Sequence, residues 1–283
     1  MIKHKLLLPT GFRKYDGWNW TLCRMLEKSK LFIVDEFTFP YQAVRGARNG
    51  NWCTIQVDDI RIGLDTWDTY SPLCNYFDNG FFDNIFKDIK LIIKIQYYDC
   101  AFYKGFTEKT GIKVSPWTVM PTKNFPLECF QWENKSHKWI TTVTGKNNRF
   151  KRQPWTKFCE DHKDLFYSSG AYTVNDNTDS YIDRLKECKW GMILKGKTRN
   201  HDGKNRRECE FTSCGMPLAL NYIPTYPFSF KPKDNFVLLE NPEDLLLLKD
   251  INPEPYSRAS RDLYYSHFST FGIAKTLLNM LSL

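Results

Sequence analysis

The sequence predicts an α/β fold in two parts, and three observations carry that prediction. Short β-prone runs alternate with helix-compatible stretches along the chain. The pattern restarts near residue 139 after a polar, aromatic interval, and beyond that point strand and helix alternate almost without a break. Such alternation argues for parallel sheets covered by helices on both faces. A length of 283 residues fits one large domain or two compact ones. The restart therefore sets the expected organisation: an N-terminal domain over residues 1–133 and a C-terminal domain over 134–283.

Taken in order, the leucines at 6–8 end at Pro9-Thr10-Gly11, a turn signal, and a helix is expected over Trp18–Lys28. Residues 31–34 (Leu-Phe-Ile-Val) read as a strand closing on Asp35-Glu36. Further β-prone runs lie at 52–57, 89–96 and 112–119, with turn-rich or helix-compatible connections that leave the alternation imperfect. The second half restarts with a strand at 139–143 that runs into Thr144-Gly145-Lys146. A helix near 154–163 and a strand at 165–167 are followed by a helix at 179–189 and a strand at 190–194. A helix near 205–214 leads to strands at 217–220 and 235–239 and a helix at 242–248. Residues 273–283 carry apolar side chains at helical spacing and predict a helical tail.

With 42% hydrophobic and 16% aromatic residues and no low-complexity tract, the chain has the material for packed cores. Only a three-residue apolar run stands directly before Pro9, too short for a signal-peptide core. No apolar stretch approaches the roughly 18 residues that a membrane span needs. Residues 91–93 are broken by Lys94, and 245–248 are flanked by acids and Lys249. The expectation is a soluble, cytoplasmic protein. Heavy use of Lys, Asn, Ile, Phe and Tyr points to an AT-rich genome such as that of a virus, in which case the cytoplasm is the host's. Nine scattered cysteines, with no Cys-x-x-Cys pair and no histidine at zinc spacing, read as reduced and mostly buried thiols.

The net charge of +8 is concentrated. Residues 145–157 hold Lys146, Arg149, Lys151, Arg152 and Lys157 without an acid. Residues 195–207 hold Lys195, Lys197, Arg199, Lys204, Arg206 and Arg207 against Asp202. Each segment is net +5, so the remainder of the chain is slightly acidic. Two short cationic loops in one half suit a compact polyphosphate better than a diffuse nucleic-acid surface.

The most specific segment runs from Asp202 through Gly203 and Glu210 to Ser213-Cys214-Gly215-Met216-Pro217. It reads as a loop leading into a short helix that Gly215 closes before Pro217 opens a buried strand. Units of this kind lie at the carboxyl edges of parallel sheets, where helix N-termini turn amide N–H groups toward phosphates. An acid, seven residues, a glutamate and then a small-Cys-Gly-x-Pro run resembles the donor-binding signature of the retaining glycosyltransferases of the GT-B class (glycosyl transferases group 1), mainly over residues 138–283. The departure is aspartate at 202, where glutamate is commoner.

That resemblance implies two Rossmann-like domains facing a central cleft, with C-terminal helices crossing back to the first domain. It implies that Glu210 hydrogen-bonds the ribose of a nucleoside-diphosphate sugar, UDP- or GDP-linked, and that Asp202 lies near hydroxyls of the transferred sugar. The diphosphate would be gripped after the first strand of the second domain, where Gly145 and Lys146 are followed by Arg149 and Lys151, with Lys146 and Arg152 as alternates in register to Arg149 and Lys151. Lys195 and Arg207 are further phosphate or sugar contacts; the plain alternatives are surface charge for Lys195 and an Arg207–Glu210 helix pair. Gly11 is the single counterpart of a glycine-rich loop in the first domain, or an ordinary turn glycine.

The resemblance further implies retaining, metal-independent transfer to a hydroxyl acceptor, either a glycan or a hydroxylated DNA base. No convincing protein base is evident; an inverting reaction would draw on Asp58, Asp59 or Asp65, which also read as turn or cap residues. Trp18, Trp20, Tyr97 and Tyr98 could stack on sugar rings or bases, although aromatics at this frequency mostly build cores. His267 reads as a packing residue. Two other classes stay open from the sequence: a non-catalytic nucleic-acid-binding protein, and a metal-dependent single-Rossmann transferase using Asp65 and Asp68.

Overall fold

The computed structural model describes residues 3–14, 18–39, 52–66, 86–95, 97, 101–118, 139–141, 149–168, 185, 188–194 and 206–283. The chain forms two compact units. One comprises Met1–Lys123, Thr225–Pro227 and Thr270–Leu283; the other comprises Asn124–Pro224 and Phe228–Ser269. The break after Lys123 and the boundary expected after residue 133 both fall in a stretch outside the described residues.

In the first unit, strands β1 (His4–Pro9), β2 (Phe32–Phe37), β3 (Trp52–Val57), β4 (Ile60–Asp65), β5 (Ile89–Lys94) and β6 (Lys113–Pro116) form one sheet in the order β2-β1-β3-β4-β5-β6. All neighbours are parallel except β3, which runs antiparallel to both β1 and β4. The carboxyl ends of β1, β2, β4, β5 and β6 therefore share one edge of the sheet. Helix α1 (Trp18–Lys28) buries Trp20, Leu22, Cys23, Met25 and Leu26. It ends at Ser29, whose Oγ donates to the Leu26 carbonyl (2.6 Å), followed by Lys30 at φ 62°.

Helix α2 (Ala101–Thr110) buries Tyr103 and Phe106 in a cluster with Trp52, Phe86, Ile89, Ile92, Ile112 and Val114. It stops at Gly111, which takes φ 73° and donates its N–H to the Thr107 carbonyl (2.8 Å), satisfying one of the last carbonyls of the helix.

The β3–β4 hairpin corrects the parallel βα reading of the first half. Asp58 and Asp59 are its two turn residues, with Asp58 at φ 51°, a conformation that aspartate tolerates better than most residues. Strand β2 also runs through Asp35-Glu36 instead of closing before them, as an edge strand with its outer face in solvent.

In the second unit, β7 (Trp139–Thr141), β8 (Phe166–Ser168), β9 (Gly191–Ile193), β10 (Leu218–Leu220) and β11 (Phe236–Leu238) form an all-parallel sheet in the order β11-β10-β9-β7-β8. Helix α3 (Arg149–Asp161) places Trp155 and Cys159 four residues apart on one buried face. They pack with Trp190, Met192, Leu194, Ala219, Leu239, Leu245 and Leu248. The helix begins five residues before the expected start at Pro154, which is internal to it. Arg149 and Lys151 thus lie on its first turn, not in a loop.

Helix α4 (Arg206–Ser213) follows as expected, and helix α5 (Glu254–Leu263) lies in a stretch for which the sequence predicts no helix. Residues Pro242–Lys249 form a 3-10 helix, and a π-helical turn occupies Tyr264–Phe268. The helix expected at 179–189 lies outside the described residues apart from Leu185 and 188–189.

The C-terminal helix α6 (Thr270–Leu281) belongs to the first unit, where it packs against α1 with Ile273, Ala274 and Leu277 buried. The chain is α/β throughout, and its tail crosses back to the first unit. Two glycines of α2 test the backbone account. A Cβ at helical Gly105 meets nothing within 4 Å, so Gly105→Ala is expected to stabilise the fold by about 0.5–1 kcal/mol. A Cβ at Gly111 is equally unobstructed, yet Gly111→Ala is expected to destabilise by about 1–2 kcal/mol because φ is positive. Urea midpoints of the two variants, moving in opposite directions, check this.

Candidate functional site

The order β8-β7-β9-β10-β11 reverses direction between β7 and β9, because the chain steps from β7 outward to β8 and then returns past β7 to β9. Crevices at the carboxyl ends of strands flanking such a reversal are where open α/β sheets bind ligands. The segment 142–148 leaves β7 and the segment 195–205 leaves β9, so both cationic stretches depart from the two strands at the reversal. Gly145, Lys146, Lys195 and Asp202 lie outside the described residues, as do the side chains of Arg149, Lys151 and Arg152.

Helix α4 is fixed by close packing at the amino end of β9, the opposite end of the strand from that crevice. Gly191 opens β9, and a Cβ there would stand 2.4 Å from the Phe211 ring and 2.7 Å from the Met216 sulfur. Only the missing side chain lets the helix approach this closely. The helix then ends in a Schellman motif. The Met216 N–H donates to the Phe211 carbonyl, the Gly215 N–H donates to the Thr212 carbonyl (both 2.9 Å), and Gly215 takes φ 68°.

Helix α5 fastens the same corner. Ser257 Oγ donates to the Gly215 carbonyl and Ser260 Oγ to the Met216 carbonyl, both at 2.8 Å. The Arg261 side chain fills the space beside Gly215, 2.7 Å from where a Cβ would stand.

Three charged residues of this short helix are buried: Arg207, Glu208 and Glu210. Glu208 is fully enclosed and accepts a hydrogen bond from the Tyr222 phenol just beyond β10. Thr212 Oγ1 donates to the Glu208 carbonyl (2.7 Å), and Ser213 Oγ donates to the Glu210 carbonyl (2.7 Å). These local bonds satisfy hydroxyls that have no solvent to turn to. Burial, with the Glu210 and then the Glu208 charge, pushes the Cys209 thiol up, so it is an inert core group. His267 stacks on Phe228, ring centroids 3.7 Å apart, and its burial lowers its pKa. That is the packing contact expected of it.

The first-unit candidates separate onto opposite edges of their sheet. Asp58 and Asp59 lie at the amino edge, because β3 is antiparallel. Asp58 Oδ2 meets His4 Nδ1 at 2.8 Å, and Oδ1 accepts the Lys5 N–H at 2.8 Å. The His4 contact holds the Asp58 carboxyl below its ordinary range, helped by the Lys5 N–H. Asp65 lies at the carboxyl edge, fully buried, 3.0 Å from Lys94 Nζ at the paired position of β5. Lys94 is equally buried. The sequence reading passed it over, although a lysine inside the apolar run Leu-Ile-Ile-Lys-Ile was the available signal. Gly11 follows β1 at the same edge with φ 76°, and its N–H donates to Glu36 Oε2 (2.8 Å). Arg13 bridges Glu36 and Glu27 beside it.

Among the described residues no group of three or more His, Cys, Asp or Glu side chains could hold a metal ion, and no helix is long and apolar enough to cross a membrane. Sequence reasoning also missed Glu208, Tyr222, Ser257 and Ser260, whose roles depend on partners distant in sequence.

No protein-family model matches the sequence, and no curated protein matches it significantly. Solved structures with a similar course include that of the GtfA/B complex (10% identity, TM-score 0.45, covering 91% of this chain and 54% of that one). TarM is similar over 73% of this chain and 46% of its own (13% identity, TM-score 0.45). The pneumococcal O-GlcNAc transferase GtfA in complex with UDP and GlcNAc is similar at 11% identity and TM-score 0.43, over 91% of this chain and 54% of its own. The chain spans about half the length of these structures.

The buried ion pair is open to direct test. Lys94→Met alone leaves the Asp65 carboxylate enclosed without its cation, and a loss of about 3–5 kcal/mol is expected. Adding Asp65→Leu should recover most of it. Chemical denaturation of the single and double variants checks the sign of the coupling.

Proposed function

We propose that this chain is a glycosyltransferase that takes a nucleoside-diphosphate sugar as donor and moves its sugar to a hydroxyl of a glycan. The observation that supports the reading is that Glu210 lies buried on helix α4, which connects β9 and β10 beside the strand reversal. The helix is locked at the amino end of β9 by Gly191 and the Gly215 corner.

In this reading Glu210 accepts hydrogen bonds from the donor ribose, and Asp202 contacts hydroxyls of the transferred sugar. Lys146, Arg149, Lys151 and Lys195 surround the diphosphate, with Arg207 as a further contact and Gly145 giving the backbone close access. As the glycosidic bond breaks, charge grows on the leaving phosphate, so fixed cations there stabilise the transition state more than the ground state. Transfer proceeds with retention, and the donor phosphate accepts the acceptor proton. That chemistry calls on no metal, nor on Asp58 or Asp59, which form the β3–β4 turn. Asp65 is committed to Lys94. Gly11 serves as a turn whose N–H is already engaged by Glu36.

Isothermal titration with UDP, GDP and their sugars, with and without chelator, tests the proposal. One of these nucleotides is expected to bind with unchanged affinity in chelator. Glu210→Ala and Arg149→Ala should each weaken it roughly tenfold to a hundredfold, the worth of one hydrogen bond to a charged group. Absence of binding by every nucleotide, or binding by both variants as tight as the wild type's, contradicts the reading.

A further inference from the structure

A second candidate site lies in the first unit and includes Tyr97, one of the aromatics that could stack on a sugar ring. Tyr97, Tyr103, Lys104, Thr107, Glu108 and Val114 line an open pocket of about 300 Å³, at the small end of the range for ligand pockets. Tyr97 follows β5 at the carboxyl edge of the sheet. Its ring lies nearly parallel to that of Tyr103, with centroids 5.0 Å apart and planes 15° from each other. Tyr103 is fixed in the core beneath, while Tyr97 is only partly buried. The pair therefore forms a rigid aromatic platform. Lys104 and Glu108 stand one turn apart on α2, both exposed, with the half-buried Thr107 between them.

From this lining we infer that the pocket binds a neutral saccharide. A pyranose has an apolar face of C–H groups and a rim of hydroxyls that both donate and accept. The tyrosine platform matches the face. The Lys104 ammonium donates to rim hydroxyls, the Glu108 carboxylate accepts from them, and Thr107 does both. One cation and one anion leave the lining without net charge, which disfavours a polyphosphate and suits an uncharged polar ligand. That the saccharide is the acceptor of transfer rests on the function proposed above; that the pocket binds it does not.

The test is saturation-transfer NMR on the full chain with maltose, cellobiose and N,N′-diacetylchitobiose, alongside an oligothymidylate and UDP. At least one disaccharide is expected to receive saturation from the protein. Its affinity should fall at least tenfold in Tyr97→Ala and severalfold in Glu108→Gln, an exposed position where the fold is not at risk, while UDP behaves as with the wild type. The inference is overturned if no disaccharide binds, or if both variants bind the sugars as the wild type does. It is also overturned if the oligothymidylate alone binds and is lost in Tyr97→Ala, since the platform would then stack bases. Failure of UDP to bind the wild type counts against the proposed function and leaves the saccharide result to be read separately.

Discussion

Position 191 has no room for a side chain, and the arrangement of the second unit follows from that. With hydrogen in place of a Cβ, the Phe211 ring and the Met216 sulfur press directly onto the first residue of β9. The end of helix α4 is thereby held close to the sheet. It is fixed by the left-handed Gly215, and the turn beyond is held by Ser257 and Ser260 from α5. A helix of eight residues has little stability of its own. Enclosure from the sheet, α5 and the π-helical turn supplies it, and burial of Arg207, Glu208 and Glu210 is the consequence. The carboxylates then stand in a low-dielectric surrounding, where hydrogen bonds to charged groups are worth more than in water.

The first unit shows the same economy at its own carboxyl edge, by a different interaction. Asp65 and Lys94 occupy paired positions at the ends of neighbouring strands, and each neutralises a charge that the core could not otherwise hold. The backbone continues the connection: the Ile95 N–H donates to the Asp65 carbonyl and the Trp117 N–H to the Lys94 carbonyl. The ends of β4, β5 and β6 are thus tied together where their loops depart. Asp58 has a comparable local task at the opposite edge, joining the β3–β4 turn to the start of β1.

How far the sequence disclosed all this depended on the range of the interactions involved. Helix α1 and strand β3 were legible to the residue, because turn residues bound them and their apolar patterns are local. The helix–Gly–x–Pro corner was legible because Gly215 and Pro217 are punctuation with a backbone meaning. Strand β4 was missed although Ile60, Ile62 and Leu64 alternate with polar or small residues. Gly63 is the small residue in that alternation because the Trp52 ring lies where its Cβ would stand, 2.4 Å away. Lys94 looked like an interruption because its partner is on another strand. Glu208 carries no local signal because its partner, Tyr222, comes after the next strand. Of the candidate site, Glu210 and Arg207 lie among the described residues as buried members of α4. Asp202, Gly145, Lys146 and Lys195 fall outside them.

Amide hydrogen exchange bears most directly on the central claim, that helix α4 presents Glu210 to a bound nucleotide. With saturating UDP or GDP, exchange is expected to slow across residues 206–216 and in β9, while the hairpin β3–β4 exchanges as before. Unchanged exchange at 206–216 under conditions where a nucleotide binds, with protection appearing elsewhere, would contradict the account.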